Sequence, residues 1–261
     1  MAKKLIDNPT VSNQIFYPEK RTATTFLDSF IKVLHLKVKK KITIGGYFYL
    51  IDSSFPTILL FHGNAELAIH YRDAVDSFFD CGANLAVVDY RGYGFSSGRP
   101  IYSSLISDAL PIYNKLNEWM IENDLIDSIF IMGRSIGSVC ASEIGAHNPD
   151  NLQGIIFSSG FASMYNIMTR LFRVSGSGIS PEGLKEFSND TRIRTFQKPV
   201  LLFHGIQDFV IPSSESNLAY DIIPKGVEKK LILIENGNHN NLFLFKEEYF
   251  IPLKEFIQKH K

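Results

Sequence analysis

Ile129-Phe130-Ile131-Met132-Gly133-Arg134-Ser135-Ile136-Gly137 decides how this sequence is read. Its first four residues are continuously apolar, as in a strand covered on both faces. The next five follow the pattern G-x-S-x-G, a sharp turn from strand to helix that holds its central serine in a strained conformation. Glycine is required on either side because a side chain there would strike the closely packed strand and helix. The small-residue segment 138–147 that follows reads as a helix lying close to that strand. Ser135 is thereby presented at the top of a sheet.

The same five-residue pattern recurs at Gly94-Phe95-Ser96-Ser97-Gly98. Context separates the two. Ser96 lies beyond the loop Tyr90-Arg91-Gly92-Tyr93, and Arg99-Pro100 follows at once, which disfavours a helix start. Only Ser135 has a strand before it and a helix after it.

The 261 residues suffice for one large domain, and 45% hydrophobic with 21% charged residues is ordinary for a globular protein. A formal net charge of +0 gives no electrostatic footprint for nucleic acid. Two cysteines, Cys81 and Cys140, do not make a disulfide framework; Cys140 is expected to be a small buried residue of the helix after the turn. No apolar run approaches the ~20 residues of a membrane span, and no signal-peptide stretch follows the basic Lys3-Lys4. The expectation is a cytoplasmic protein with no integral membrane segment. Nothing in the sequence fixes an oligomeric state.

Working outward, Gln14-Ile15-Phe16-Tyr17 suggests an edge strand closed by Pro18, and residues 31–41 an outer strand with one solvated, lysine-bearing face. Gly45-Gly46 suggests a hairpin turn into a strand at 47–51. From residue 57 the rhythm becomes strand and helix in alternation. Strands are expected at 57–61, 84–89, 128–132, 152–158, 200–204 and 230–235. Helices are expected at 65–81, 104–123 (with Pro111 a kink or restart), 138–147, 213–220 and 241–259. Such alternation predicts an α/β fold, a mostly parallel sheet flanked by helices. Residues 162–198 are long for a crossover, and with Met164, Met168, Leu171 and Phe172 they read as a small cap over the site. A covering helix with an apolar inner face accounts for them equally. The domain expectation is a single unit over residues 1–261 carrying that cap, its flexible part at Ser175-Gly176-Ser177-Gly178.

A serine hydroxyl needs a base to become a nucleophile, and that base is oriented by a carboxylate. In this kind of sheet the chain order is serine, then Asp or Glu, then His. Of the histidines after residue 147, His260 is penultimate and His204 ends a strand before any loop carboxylate. His239 sits in a loop directly after a strand and is the expected base. Asp208, in the loop after the preceding strand, is the expected orienting carboxylate, with Asp221 as second choice. An oxyanion needs two backbone donors. Ile136 follows the nucleophile, and Asn64 lies in the loop Phe61-His62-Gly63-Asn64-Ala65-Glu66 between strand and helix. His62 is expected to brace that loop, and Asp89, Arg91 and Tyr93 to organise the next one. No carboxylate or histidine cluster has metal-ligand spacing, so no metal and no cofactor is expected.

His62-Gly63-Asn64-Ala65, Asp89-Tyr90-Arg91-Gly92-Tyr93-Gly94, Gly133-Arg134-Ser135-Ile136-Gly137 and the Asp208 and His239 loops, in this order, resemble the α/β-hydrolase superfamily. The nearest branch by these motifs is the abhydrolase-domain serine hydrolases, similar to a prolyl-oligopeptidase catalytic domain without its propeller. The resemblance spans roughly residues 40–258. It implies an α/β-hydrolase fold and a serine hydrolase acting on carboxylic esters or thioesters, with a small-molecule or acyl-chain substrate. Some members of the branch remove acyl chains from proteins. The membrane anchor or cysteine-rich tail frequent in the branch is not seen in this sequence. Three other readings remain open: a peptidase or amidase using the same residues, transfer of the acyl group to an alcohol or thiol, and a silent hydrolase fold that only binds.

Overall fold

The computed structural model describes residues 6–174, 176 and 179–261. Among the described residues, eight strands form one sheet in the order β1-β2-β4-β3-β5-β6-β7-β8. They are β1 (Ile31–Lys39), β2 (Ile42–Tyr49), β3 (Thr57–Phe61), β4 (Asn84–Val88), β5 (Ile129–Arg134), β6 (Leu152–Ser158), β7 (Val200–Gly205) and β8 (Lys229–Ile234). β1 and β2 pair antiparallel and β2 joins β4 antiparallel; β4, β3, β5, β6, β7 and β8 run parallel. This is the α/β-hydrolase fold.

Alternating side chains of each strand feed two cores. On one face Leu59, Phe61, Ile129, Ile131, Ile155 and Phe157 pack under α3 (Tyr102–Glu122) and α4 (Ser138–His147). On the other, Ile58, Leu60, Phe130, Met132, Ile156 and Phe203 pack under α2 (Val75–Phe79) and α7 (Lys246–His260). The remaining labelled helices are α1 (Pro9–Ile15), α5 (Asn189–Ile193) and α6 (Ser214–Ile222). Pro111 is carried inside a continuous α3 and does not divide it. Among the described residues, no helix is long and apolar enough to cross a membrane.

Three expectations fail locally. Residues 14–17 are not an edge strand: Asn8 caps and Pro9 opens α1, which ends at Ile15, and the apolar pair Ile15 and Phe16 is buried in the main core. Gly45 and Gly46 are not a turn but lie inside β2, where Gly45 pairs with His35 and Gly46 with Leu34 and Val88. Both sit where a Cβ would collide, the first with the Phe95 ring and the second with the Val87 carbonyl. Residues 65–81 are not one helix but a 3₁₀ segment, Ala68–Ala74, running into the short α2. Of the segment expected to be flexible, Ser175, Ser177 and Gly178 lie outside the described residues.

In chain order the connections leave β3 toward β4 on one side, and β5 forms on the other. The strand order therefore reverses around β3, and clefts form at the carboxyl ends of strands where this happens. The loops after β3 and β5, holding Asn64 and Ser135, meet there.

Candidate functional site

Ser135 is the first residue beyond β5 and has φ of 52°. That is left-handed backbone, costly for a residue with a Cβ and held only by its surroundings. The surroundings are visible at the two glycines. A Cβ on Gly133 would lie 2.6 Å from both the Gly137 carbonyl and the Ser138 Cα, and one on Gly137 would overlap the Phe61 carbonyl. Strand β3, strand β5 and the start of α4 thus converge too closely for side chains. Ser138 donates from Oγ to the Ser135 carbonyl at 2.7 Å and pins the turn.

Asp208 and His239 come to Ser135 from the loops after β7 and β8. A carboxylate only accepts, so His239 donates from Nδ1 to Asp208 Oδ2 at 2.7 Å. This leaves Nε2 to accept from the Ser135 hydroxyl at 3.0 Å. Asp208 Oδ1 accepts from the amides of Val210 and Ile211 at 3.0 and 2.8 Å. Burial by itself would raise the Asp208 pKa. Hydrogen bonds from His204 and His239, the charge of His239 and the Ile211 amide outweigh burial and hold the carboxyl well below the usual carboxylate range. His204, set aside as a base, is buried behind Asp208. Its Nε2 donates to the Ile211 carbonyl at 2.9 Å and lies 3.3 Å from Asp208 Oδ2, while its Nδ1 accepts from Ser216 Oγ at 2.6 Å. It buttresses the carboxylate from the far side. Asp221 lies exposed in α6, apart from this cluster.

The structure also brings the loop after β3 to Ser135. The Asn64 amide makes no hydrogen bond among the described residues, and Ile136 is the second residue of the short 3₁₀ helix Ser135–Gly137, in the first turn where amides lack intrahelical acceptors. His62 is fully buried and braces its loop: Nδ1 meets the Gly63 carbonyl at 2.7 Å, Nε2 lies 3.3 Å from Asp89 Oδ1, and Tyr90 donates to its carbonyl. Asp89 accepts from the Ala68 amide at 2.9 Å, Arg91 pairs with Asp108, and Tyr93 donates to Asn64 Oδ1 at 2.7 Å. Ser96, the serine of the second G-x-S-x-G, is fully buried; its Oγ accepts from the Gly45 amide at 2.8 Å and donates to the Asp89 carbonyl at 2.9 Å.

Two residues that sequence reasoning missed tie the site together. Arg134, the variable position before Ser135, reaches Glu66 Oε1 at 2.5 Å through Nη1 and donates to the His239 carbonyl at 2.9 Å through Nη2. One guanidinium at the end of β5 so joins the loops after β3 and β8. Burial opposes the charge on both partners, but their mutual attraction prevails: Glu66 is held below and Arg134 above its ordinary pKa. Glu215, buried in α6, accepts from the amides of Ala162 and Ser163 at 3.0 and 2.9 Å and from Asn166 Nδ2 at 2.6 Å. It anchors the start of the 162–198 segment. A charged residue inside a motif of small residues was the available signal for Arg134; Glu215 carried none.

A cavity of about 260 Å³ opens beside Ser135, Ile136, Asn64 and His239. Its other walls are Phe161, then Met164, Ile167, Leu171 and Phe172 from the 162–198 segment, with Val210, Ile211 and Tyr102. These walls are apolar and no carboxylate is among the lining residues.

The family model for serine aminopeptidase, S33, matches residues 53–180, which include the Asn64 and Ser135 loops. That match spans a little under half of the chain, which is similar to α/β-hydrolases in these motifs and in its fold. It is similar to protein bem46 of Schizosaccharomyces pombe, 27% identical over 234 residues, or 87% of this chain and 76% of that one. It is also similar to human protein ABHD12B, 24% identical over 225 residues, covering 78% of this chain and 61% of that protein. These relatives fit the abhydrolase-domain branch. Among solved structures, the Pyrococcus furiosus esterase Pf2001 superposes with a TM-score of 0.72 at 19% identity, over 93% of this chain and 98% of that one. At that identity the likeness speaks for the fold.

Proposed function

We propose that this α/β-hydrolase is a serine hydrolase cleaving small carboxylic esters or thioesters. The observation that carries the reading is the continuous hydrogen-bonded line Asp208–His239–Ser135, at 2.7 and 3.0 Å, ending on a strained serine that faces an apolar cavity. In this reading His239 takes the Ser135 proton through Nε2 as Oγ attacks the acyl carbonyl. Asp208, kept ionised, holds the tautomer and stabilises the imidazolium without taking the proton. The amides of Asn64 and Ile136 receive the oxyanion. His239 then protonates the leaving alkoxide or thiolate, and water repeats the sequence on the acyl-enzyme to release the acid. No step requires a metal or cofactor. Residues 162–198 act as a cap on a single domain, and Met164, Ile167, Leu171 and Phe172 receive the acyl chain.

An aminopeptidase, the description attached to the matching family model, is the second reading. A free α-ammonium group calls for a carboxylate beside the scissile bond, and the cavity lining holds none. Ester chemistry is favoured on that ground. The test is a panel of nitrophenyl esters, acyl thioesters and aminoacyl nitroanilides assayed with the wild type and Ser135→Ala. Turnover of esters or thioesters exceeding that of anilides at least a hundredfold, and abolished in Ser135→Ala, is expected. Preferred cleavage of aminoacyl anilides rejects the ester reading in favour of the peptidase.

A further inference from the structure

The N-terminal segment lies outside the residues matched by the family model, yet it is built into the site. α1 is sealed into the core by Val11, Ile15 and Phe16. Asp7 accepts from the Ser103 amide at 2.9 Å at the start of α3, beside the cavity wall residue Tyr102. Beyond α1 the chain crosses the cavity mouth at Tyr17. It then runs along Gly94, where the Gly94 amide donates to Glu19 O at 2.8 Å and the Arg21 amide donates to Gly94 O at 3.0 Å.

Its decisive contact is with Asn64. The Tyr17 amide donates to Asn64 Oδ1 at 3.2 Å and to Tyr93 Oη at 3.0 Å, and Tyr93 donates its own proton to Asn64 Oδ1 at 2.7 Å. Asn64 Nδ2 donates in turn to the Ile15 carbonyl at 2.5 Å. The Ala65 amide completes the set at 3.0 Å. Both ends of the Asn64 side chain are therefore gripped, and the next residue, Ala65, is held at φ of 58°. Left-handed alanine is not a preferred state and persists only when neighbours enforce it. The Asn64 N–H belongs to the peptide that joins Gly63 to Asn64: its carbonyl end meets His62 Nδ1 at 2.7 Å, and the gripped Asn64 side chain holds the other end, so the direction of that amide is fixed.

We infer that the segment Ile15–Tyr17, acting with Tyr93, is a clasp that aims the Asn64 amide at the oxyanion, so that Tyr17 and Tyr93 are positioning residues for catalysis. This rests on the serine-hydrolase reading above. A misdirected donor weakens binding of the transition state more than binding of the ester, so the clasp acts on kcat rather than KM.

The test uses two variants of the full chain at one position. Tyr17→Ala keeps the backbone N–H and removes the ring. Tyr17→Pro removes ring and N–H together, and the extended backbone of Phe16, at φ −111° and ψ 136°, accepts a following proline. With a short nitrophenyl ester, Tyr17→Pro is expected to show a kcat about three- to tenfold below Tyr17→Ala at equal KM, the range for one lost hydrogen bond. Tyr93→Phe, which keeps the ring and deletes the hydroxyl, is expected to lower kcat by a similar factor at unchanged KM, with fluorophosphonate labelling of Ser135 retained. Equal kcat in Tyr17→Pro and Tyr17→Ala, or losses confined to KM, overturns the clasp while the wild type still turns over esters. A wild type that neither turns over esters nor is labelled at Ser135 overturns the hydrolase reading and the clasp with it.

Discussion

Replacing Arg134 by methionine tests whether one guanidinium holds two loops in register with the end of β5. The substitution removes the charge and its fork of donors while keeping much of the side-chain volume. Arg134 and Glu66 are 11% and 23% exposed, so Glu66 is left largely desolvated without its partner. Tyr71 and the Gly63 amide, which donate to Glu66 Oε2 at 2.7 and 2.9 Å, remain as partial compensation. Breaking a fully buried pair costs about 3–5 kcal/mol; partial exposure and these two donors bring the expectation to about 2–4 kcal/mol. For a chain of this size each kcal/mol corresponds to about 2–4 °C in Tm, so a fall of about 10 °C is expected by circular dichroism or calorimetry. Glu66→Gln/Arg134→Met removes both charges and should recover at least half of that loss, a favourable coupling measurable in a double-mutant cycle. Arg134→Lys should not restore stability, because one ammonium does not span Glu66 and the His239 carbonyl as the planar fork does. A loss in Arg134→Met below about 0.5 kcal/mol, or strictly additive single and double variants, refutes the reasoning.

The other predictions concern the carboxylate, the second serine, the glycine of the turn and the cavity. The folded Asp208 pKa lies below its unfolded value of about 3.9, so its stabilisation is complete above that pH and is lost as pH falls toward the folded value. Asp208→Asn should therefore flatten the acid limb of the stability curve and lower kcat by about 10³–10⁴-fold; an unchanged acid limb measured by thermal melts between pH 3 and 7 contradicts this. Ser96→Ala orphans the Gly45 amide and should cost about 1–3 kcal/mol in urea unfolding while fluorophosphonate labelling persists, whereas loss of labelling in a folded protein would make Ser96 the nucleophile. Gly137→Ala drives a methyl group into the Phe61 carbonyl and should cost about 1–3 kcal/mol or more; a fully stable and active variant would mean that the turn is looser than described. The cavity of about 260 Å³ is below the usual ~300–1,000 Å³ of drug-sized sites, so kcat/KM in an ester series should peak at short to medium acyl chains. A steady rise toward long chains rules that out.

The sheet and the turn at Ser135 were legible because their signals are local. Continuous apolar runs mark strands covered on both faces, and G-x-S-x-G between such a run and a small-residue segment is confined to nine residues. The Asp208 and His239 loops were found by order along the chain, since a sheet of this topology delivers the ends of β7 and β8 to the end of β5. What was misread depends on distant partners. Gly45-Gly46 carries the same local signal as a turn, and only Phe95 and Val87, about forty to fifty residues away, explain why glycine is needed in mid-strand. Asn8-Pro9 is a recognisable helix start that the strand reading of residues 14–17 left unused, and Ile15 and Phe16 owe their apolar character to burial against the core. Arg134 looked like a variable position because Glu66 and the His239 carbonyl are far off in sequence. The cavity was illegible for the same reason: its walls come from residues scattered between Tyr17 and Asn240.

The most direct measurement is peptide mapping by mass spectrometry after reaction of the intact chain with a fluorophosphonate, beside nitrophenyl-ester turnover of the same sample. A single adduct on Ser135, with labelling and turnover lost together in His239→Ala, is the predicted result. An adduct elsewhere, or a folded wild type that forms none and cleaves no ester, contradicts the account.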